Sequence, residues 1–272
     1  MQDLFDVRSK VVAITGGAGI LCGTMAQALA QAGARICIMD FDGQRAEKLA
    51  KEITDKGGSA IAVKTDVLDR AQVEAAAENC MKVFGYVDCL VNGAGGNKKE
   101  ATTSESLPFF DIPAEAIRWV FDLNLLGTVL PSQVFGRYMA QQGHGVIINI
   151  SSMNAFRPLT RIPAYSAAKA AVSNFTQWLA VHMAQNYSPN IRVNAIAPGF
   201  FLTEQNRFLL TDQQTGQLTA RGKAIIDHTP MARFGQPEEL VGTLLWLISK
   251  ASAFVTGVVV PVDGGFNAFS GV

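Results

Sequence analysis

This chain has no excess of either charge, few histidines, no paired cysteines and no long apolar run. Lys plus Arg number 23 and Asp plus Glu number 23, giving a formal net charge of zero. That balance offers no footprint for a nucleic-acid backbone and no polybasic membrane patch. The three histidines, His144, His182 and His228, are scattered without zinc-like spacing, so no metal site is expected. Cys22, Cys37, Cys80 and Cys89 lack CxxC spacing, and three of them lie in or beside apolar runs. They read as reduced core residues of a cytoplasmic protein. No apolar stretch approaches the roughly 20 residues of a membrane span. The acidic start, Met1 to Asp6, has no basic region of a signal peptide.

What is present is apolar bulk. The 272 residues are 49% hydrophobic and 17% charged, enough to bury a sizeable core. Short apolar runs alternate with helical segments along the whole length. Strands are expected at Lys10–Thr15, Arg35–Asp40, Ala60–Val63, Val87–Val91, Val146–Ile150, Ile191–Ile196 and Gly257–Val262. Helices are expected over Thr24–Ala32, Gln44–Lys56, Arg70–Phe84, Ala114–Gln141 and Pro163–Asn186. Strands that are apolar throughout, rather than alternating, imply that both faces are covered. The alternation with helices implies a Rossmann-type, doubly wound parallel sheet of seven strands with helices on both faces. With no linker, repeat or low-complexity tract, one domain over 1–272 is expected.

Tyr165 and Lys169 stand four residues apart, one helical turn, with Ser152 thirteen residues upstream of Tyr165. An ammonium beside a phenol favours the phenolate, so Lys169 is expected to lower the Tyr165 pKa. Such a phenol can exchange a proton with a carbonyl or an alcohol. Tyr-x-x-x-Lys alone is a weak signal, because a half-buried Tyr beside a surface Lys is commonplace.

The remaining special residues fall at the carboxyl ends of the expected strands, where doubly wound sheets bind ligands. Gly16, Gly17, Gly19 and Gly23 form a glycine-rich turn into a helix, whose first amides and dipole attract a pyrophosphate. Ile20 and Leu21 lie in that turn and are expected among its cofactor contacts. Asp40 ends the second strand, 24 residues after Gly16, where a carboxylate accepts hydrogen bonds from a ribose diol and repels a 2′-phosphate. NAD(H) is therefore expected over NADP(H), with Phe41 adjacent. Asp40 could equally be a turn-former ahead of Gly43, and Arg45 is close in sequence. Asp66 and Val67 follow the third strand, at the adenine edge. Asn92, Gly93 and Ala94 make a loop with little side-chain bulk, suited to lying against a ligand.

These residues together resemble the short-chain dehydrogenase/reductase family over essentially the full length. The resemblance rests on Thr15-Gly16, Asp40, Asp66-Val67, Asn92-Gly93-Ala94-Gly95, Asn124, Asn149-Ile150-Ser151-Ser152, Tyr165 with Lys169, Asn194, Pro198-Gly199 with Thr203, and Asp263-Gly264-Gly265. Two departures stand out. Ile20 and Cys22 occupy positions where the family usually has glycines, and Gly93 stands where it commonly has a second Asn. A closer resemblance, to the D-mannonate oxidoreductase (fructuronate reductase) branch, rests on Gly93–Asn97 followed by Ala101-Thr102-Thr103, Gln133–Gly136, Ala197–Thr203 and Val260–Phe266.

The resemblance implies an enzyme acting on CH–OH groups with a nicotinamide cofactor. Tyr165 would be the acid/base, Ser152 the donor to the carbonyl oxygen, Lys169 the partner of Tyr165 and of the nicotinamide ribose, and Asn124 the holder of a relay water. Asn124 could instead satisfy a local backbone group. Pro198, Gly199 and Thr203 would line the nicotinamide. Ser151 and Ser152 cannot share one role, because successive strand residues face opposite ways; the offset to Tyr165 matches the family at Ser152. For a sugar-acid substrate, Asn97, Asn154 and Arg161 are the candidates, Arg161 because guanidinium forks match carboxylates. Arg157, Lys98 and Lys99 lie nearby. The segment 200–229, with Phe200, Phe201 and Phe208, is the expected lid. Apolar residues on more than one helix face, among them Trp119, Leu126, Trp178 and Val181, suggest burial against another subunit, and the resemblance implies a homotetramer. Alternatives are the same chemistry on another hexonate, a polyol or a 3-oxoacyl thioester, and a non-catalytic dinucleotide sensor.

Overall fold

The computed structural model describes residues 2–202, 210–212 and 215–271. Seven strands form one sheet: β1 (Val11–Thr15), β2 (Arg35–Asp40), β3 (Ser59–Lys64), β4 (Cys89–Asn92), β5 (Gly145–Ile150), β6 (Ile191–Pro198) and β7 (Val259–Val262). Their order is β3-β2-β1-β4-β5-β6-β7, and every pairing is parallel. The expected doubly wound parallel sheet is therefore the one observed.

The continuous apolar runs have a direct cause. Along β1 and β2, Val12, Ile14, Ile36 and Ile38 face one core, packed with α1 (Ile20–Gln31), α2 (Gly43–Asp55) and α8 (Val241–Ile248). Their neighbours Val11, Ala13, Cys37 and Met39 face the opposite core, packed with α3 (Arg70–Phe84), α5 (Gly127–Gln142) and α6 (Pro163–Asn186). Alternate strand residues point to opposite faces, so a sheet covered on both sides needs both sets apolar. Each fully buried aliphatic side chain contributes about 1.5–3 kcal/mol. All four cysteines are free and buried, as their apolar settings predict.

Helix starts differ in a way that bears on function. Asp42 caps α2 by accepting from Arg45 N at 3.1 Å, and Asp69 caps α3 by accepting from Ala71 N at 2.9 Å. The first helix is capped by Gly19, which offers no side chain to its first-turn amides. This helix also begins at Ile20, not Thr24. Reading the glycines as loop placed its start too late.

The segment expected as one helix over Ala114–Gln141 is α4 (Ala114–Phe121), a π turn (Asp122–Leu126) and then α5. The widened turn carries Asn124, whose Nδ2 donates to Val120 O and to Gly96 O, each at 2.7 Å. A side chain that reaches both its own helix and a neighbouring loop accounts for the local departure from α geometry. Beyond β6, Leu210, Ile225 and Phe234 form a small separate core with Phe200, Leu202 and Ile226, part of it from α7 (Ala220–Asp227). Among the described residues no helix is long and apolar enough to cross a membrane.

Candidate active site

Parallel pairing aligns the carboxyl ends of the central strands, so Thr15 lies beside Asn92, and Asn92 beside Asn149. Residues far apart in sequence thereby share one rim. Thr15 Oγ1 accepts from Gly93 N at 3.1 Å and from Ala94 N at 3.2 Å, tying the β4 loop to the end of β1. Gly16 has φ +59°, and a Cβ there would stand 2.8 Å from Ala94 Cα. Only glycine gives both that backbone conformation and that approach.

The cofactor side is built around an open helix end. Gly19, Ile20 and Leu21 form the start of α1, where first-turn amides have no intrahelical partners and no capping side chain. Asp40 reaches this turn: its Oδ2 accepts from Ala18 N at 2.9 Å, and its Oδ1 accepts from Asp42 N at 3.0 Å. Asp40 thus shapes the glycine turn from the end of β2. Arg45 donates to Ala18 O at 2.9 Å, so the nearby guanidinium is committed to the same turn. Phe41 is largely exposed beside Asp40. Asp66 Oδ1 accepts from Leu68 N at 2.9 Å, and Val67 is buried against the space at Gly127. Pro198 ends β6. Gly199 packs so closely on Asp263 that a Cβ would lie 2.6 Å from its Cα, a packing constraint that spacing alone did not suggest. Thr203 and Phe208 lie outside the described residues.

The expected catalytic residues gather on α6 and just past the end of β5. Lys169 is 4% exposed, and its Nζ donates to Ile150 O at 2.7 Å and stands 5.7 Å from the centre of the Tyr165 ring. Ser152 lies near enough to Tyr165 to bear on its phenol. Burial pushes the Tyr165 phenol above its ordinary value, with Ser152 acting in the opposite sense. This corrects the expectation that Lys169 lowers it: desolvation is the larger cause, and the opposing contribution comes from Ser152. Burial instead brings Lys169 itself down to about 8. Ser151 is the inward-packed serine, sharing a 2.7 Å hydrogen bond with Ser173 Oγ and donating to Lys169 O.

Asn124 is fully buried, and its Oδ1 accepts from Gly96 N at 3.2 Å while its Nδ2 donates to Gly96 O. Its backbone carbonyl accepts from Thr128 Oγ1 at 2.8 Å. Gly95 lies against both this amide and Lys169: a Cβ on it would stand 2.8 Å from Asn124 Oδ1 and 3.2 Å from Lys169 Nζ. The sequence motif contained Gly95, but nothing in it revealed this crowding.

Two side-chain atoms near the chemistry, Asn154 Oδ1 and Ser166 Oγ, are buried with no hydrogen-bond partner. Asn154 follows Ser152 closely, its backbone N donating to Ser152 Oγ at 3.3 Å, and Ser166 adjoins Tyr165. Asn97 is exposed and its Nδ2 donates to Thr102 Oγ1 at 2.9 Å, so it shapes its own turn. Arg161 is exposed with φ +73°, a region L side chains rarely adopt, and its carbonyl accepts from Thr103 N at 2.8 Å. Among the described residues no group of three His, Cys, Asp or Glu is arranged to hold a metal.

A Ser–Tyr–Lys set and a glycine turn brought together at the switch point of a doubly wound sheet suit an oxidoreductase. The chain belongs to the short-chain dehydrogenase/reductase family. A family model described as enoyl-(acyl carrier protein) reductase matches residues 18–267. The uncharacterized oxidoreductase UxuB of Bacillus subtilis is 49% identical over 276 residues, covering 98% of each chain. A Haemophilus influenza protein provisionally named D-mannonate oxidoreductase, solved with bound NAD, is 49% identical with a TM-score of 0.92, covering 98% of each chain. A gluconate 5-dehydrogenase from Burkholderia cenocepacia, solved with NADP and tartrate, is 34% identical with a TM-score of 0.88, again covering 98% of each chain.

Proposed function

We propose that this oxidoreductase interconverts an alcohol and a ketone on a sugar acid with NAD(H), D-mannonate and D-fructuronate being the first pair to test. The observation that carries the chemistry is Tyr165 with Ser152 bearing on its phenol and the buried Lys169 5.7 Å from its ring centre. The substrate class is supported by the similarity to a protein named for D-mannonate and to a gluconate dehydrogenase. The second similarity favours another hexonate as the alternative.

The residues present suit a dinucleotide. The uncapped start of α1 presents amides to a pyrophosphate, and Asp40 retains lone pairs for a ribose diol while opposing a 2′-phosphate. Gly16, Gly93, Ala94 and Gly95 leave the floor clear of bulk. When bound, the cofactor exchanges a hydride with the substrate carbon. Tyr165 gives its proton to the carbonyl oxygen in reduction and takes it back in oxidation. Burial keeps the phenol protonated, the form the reductive step needs. Ser152 donates to the same oxygen as charge builds there. Lys169, brought down to about 8, can itself pass a proton near neutral pH. Asn124 holds Gly96 in place, and with it the Gly95 backbone that lies against Lys169.

Arg161 is assigned to the substrate carboxylate, and its strained backbone supports that assignment, since such strain concentrates at binding sites. Asn154 and Ser166, with unmet hydrogen-bonding capacity, are assigned to substrate hydroxyls. The small core of Phe200, Leu210 and Ile225 is proposed as the base of a lid over the cleft, within one domain. Trp178 and Val181 remain more than half exposed on α6, beside a groove of about 920 Å³ lined by Phe175, His182 and Tyr187. Such a face suits subunit contact in a homotetramer. The test is a spectrophotometric panel of hexonates and polyols with NAD+ and NADP+. Turnover of D-mannonate with NAD+ supports the proposal; turnover of another substrate alone rejects the pair.

A further inference from the structure

The two departures from the family pattern, at Cys22 and Gly93, meet in space. A Cβ built on Gly93 would collide with Cys22 Sγ and stand 2.8 Å from Thr15 O, yet only touch Cys22 Cβ at 3.6 Å. The sulfur therefore occupies the volume that a side chain at position 93 would fill. Cys22 is 5% exposed on the first turn of α1, and burial pushes its thiol up to about 12, so it packs as a neutral group. It stands between the two halves of the site, close enough to feel the charges of both Lys169 and Asp40.

The loop that Cys22 touches is held to β1 from the other side by Thr15, through Gly93 N and Ala94 N. Two residues on, Gly95 meets Asn124 Oδ1 and Lys169 Nζ with no room to spare. A displacement at Gly93 is therefore passed directly to the catalytic groups. Loss of the sulfur would leave the loop without its support on the α1 side.

We propose that Cys22 is a positioning residue: its Sγ packs against the bare face of Gly93 and seats the Gly93–Gly95 loop where a dinucleotide can lie over it. This rests on the dinucleotide reading above. The consequence is that positions 22 and 93 are a matched pair, so that bulk added at one is tolerated only when removed from the other.

The experiment is a double-mutant cycle of Cys22→Ala and Gly93→Ala, reading NADH affinity by fluorescence titration, KM and kcat, and the thermal midpoint. Gly93→Ala alone should weaken NADH binding by about tenfold or more. Adding Cys22→Ala should recover much of that loss, a coupling of a size usual for residues in contact. Recovery should fall short of wild type, because Thr15 O still crowds position 93. Cys22→Ala alone should raise the NADH dissociation constant about threefold with little change in thermal midpoint. If Gly93→Ala does not fold, Cys22→Ala and the double variant still decide the matter by their NADH affinities relative to wild type. Gly93→Ala binding NADH normally, or the double variant binding no better than Gly93→Ala, would overturn the proposal; so would a Cys22→Ala variant indistinguishable from wild type in affinity. Failure of the wild type to bind NADH would overturn the cofactor reading instead.

Discussion

Lys169 lies over the ring of Tyr165, 5.7 Å from its centre, with its ammonium hydrogen-bonded to the Ile150 carbonyl. The two are one helical turn apart, and burial moves them in opposite directions: the phenol up, the ammonium down to about 8. Both shifts favour the uncharged forms, as desolvation must.

Tyr165→Phe removes the proton donor while keeping the ring. Turnover should fall by about 10²–10⁴ fold, the usual share of a general acid, with NADH affinity little changed. Steady-state kinetics beside a fluorescence titration check this, and near-normal turnover would refute the acid/base role.

Lys169 makes stability depend on pH. Its folded value of about 8 lies below its ordinary value of 10.5, so between these pH values the unfolded chain binds more protons. Stability should therefore rise as pH increases from 8 towards 10.5, by at most about 1.4 kcal/mol per pH unit from this group. The penalty is fully present below pH 8. Lys169→Met should lack this rise; urea melts across the window measure it.

Gly95→Ala should reduce turnover more than cofactor affinity. The added Cβ meets Asn124 Oδ1 at 2.8 Å and Lys169 Nζ at 3.2 Å, both part of the catalytic side. A misplacement there costs on the order of tenfold to 10² fold in rate. A change in KM with unaltered kcat would contradict this.

Asp40→Ala should weaken NAD+ use and narrow its preference over NADP+. It should also cost about 1–3 kcal/mol of stability, because Ala18 N and Asp42 N both lose a charged acceptor. Ratios of kcat/KM for the two cofactors, with thermal melts, separate the two effects.

Arg161→Gly tests the carboxylate assignment without harming the fold. Glycine relieves the positive φ at this position, so stability should hold to within about 1 kcal/mol. The KM for a hexonate should rise about tenfold, consistent with loss of a charge-assisted contact, while that for a polyol should not. Equal effects on both substrates would remove Arg161 from the carboxylate role.

Much of the site was legible because it depends on residue type at strand ends. Parallel strands of similar length bring Thr15, Asn92 and Asn149 into register, so the rim follows once the strands are recognised. Asp40 ends β2, Ser152 follows β5, and Tyr165 and Lys169 share α6 one turn apart. The start of α1 was missed because its first turn contains Cys22 and Gly23 within a glycine-rich stretch. The π turn at Asn124 was missed because its cause is a hydrogen bond to Gly96, 28 residues away in sequence. The Cys22–Gly93 contact read as two unrelated departures for the same reason.

From sequence alone came the doubly wound sheet, the family and the candidates for proton transfer, because hydrophobic periodicity and motif spacing are local properties. The tertiary structure decided the rest. It set the direction of the Tyr165 shift, since burial depends on everything packed around the phenol. It joined Asp40 to the glycine turn, and it showed which glycines have no room for a side chain. These depend on distances between residues remote in the chain, which no spacing encodes.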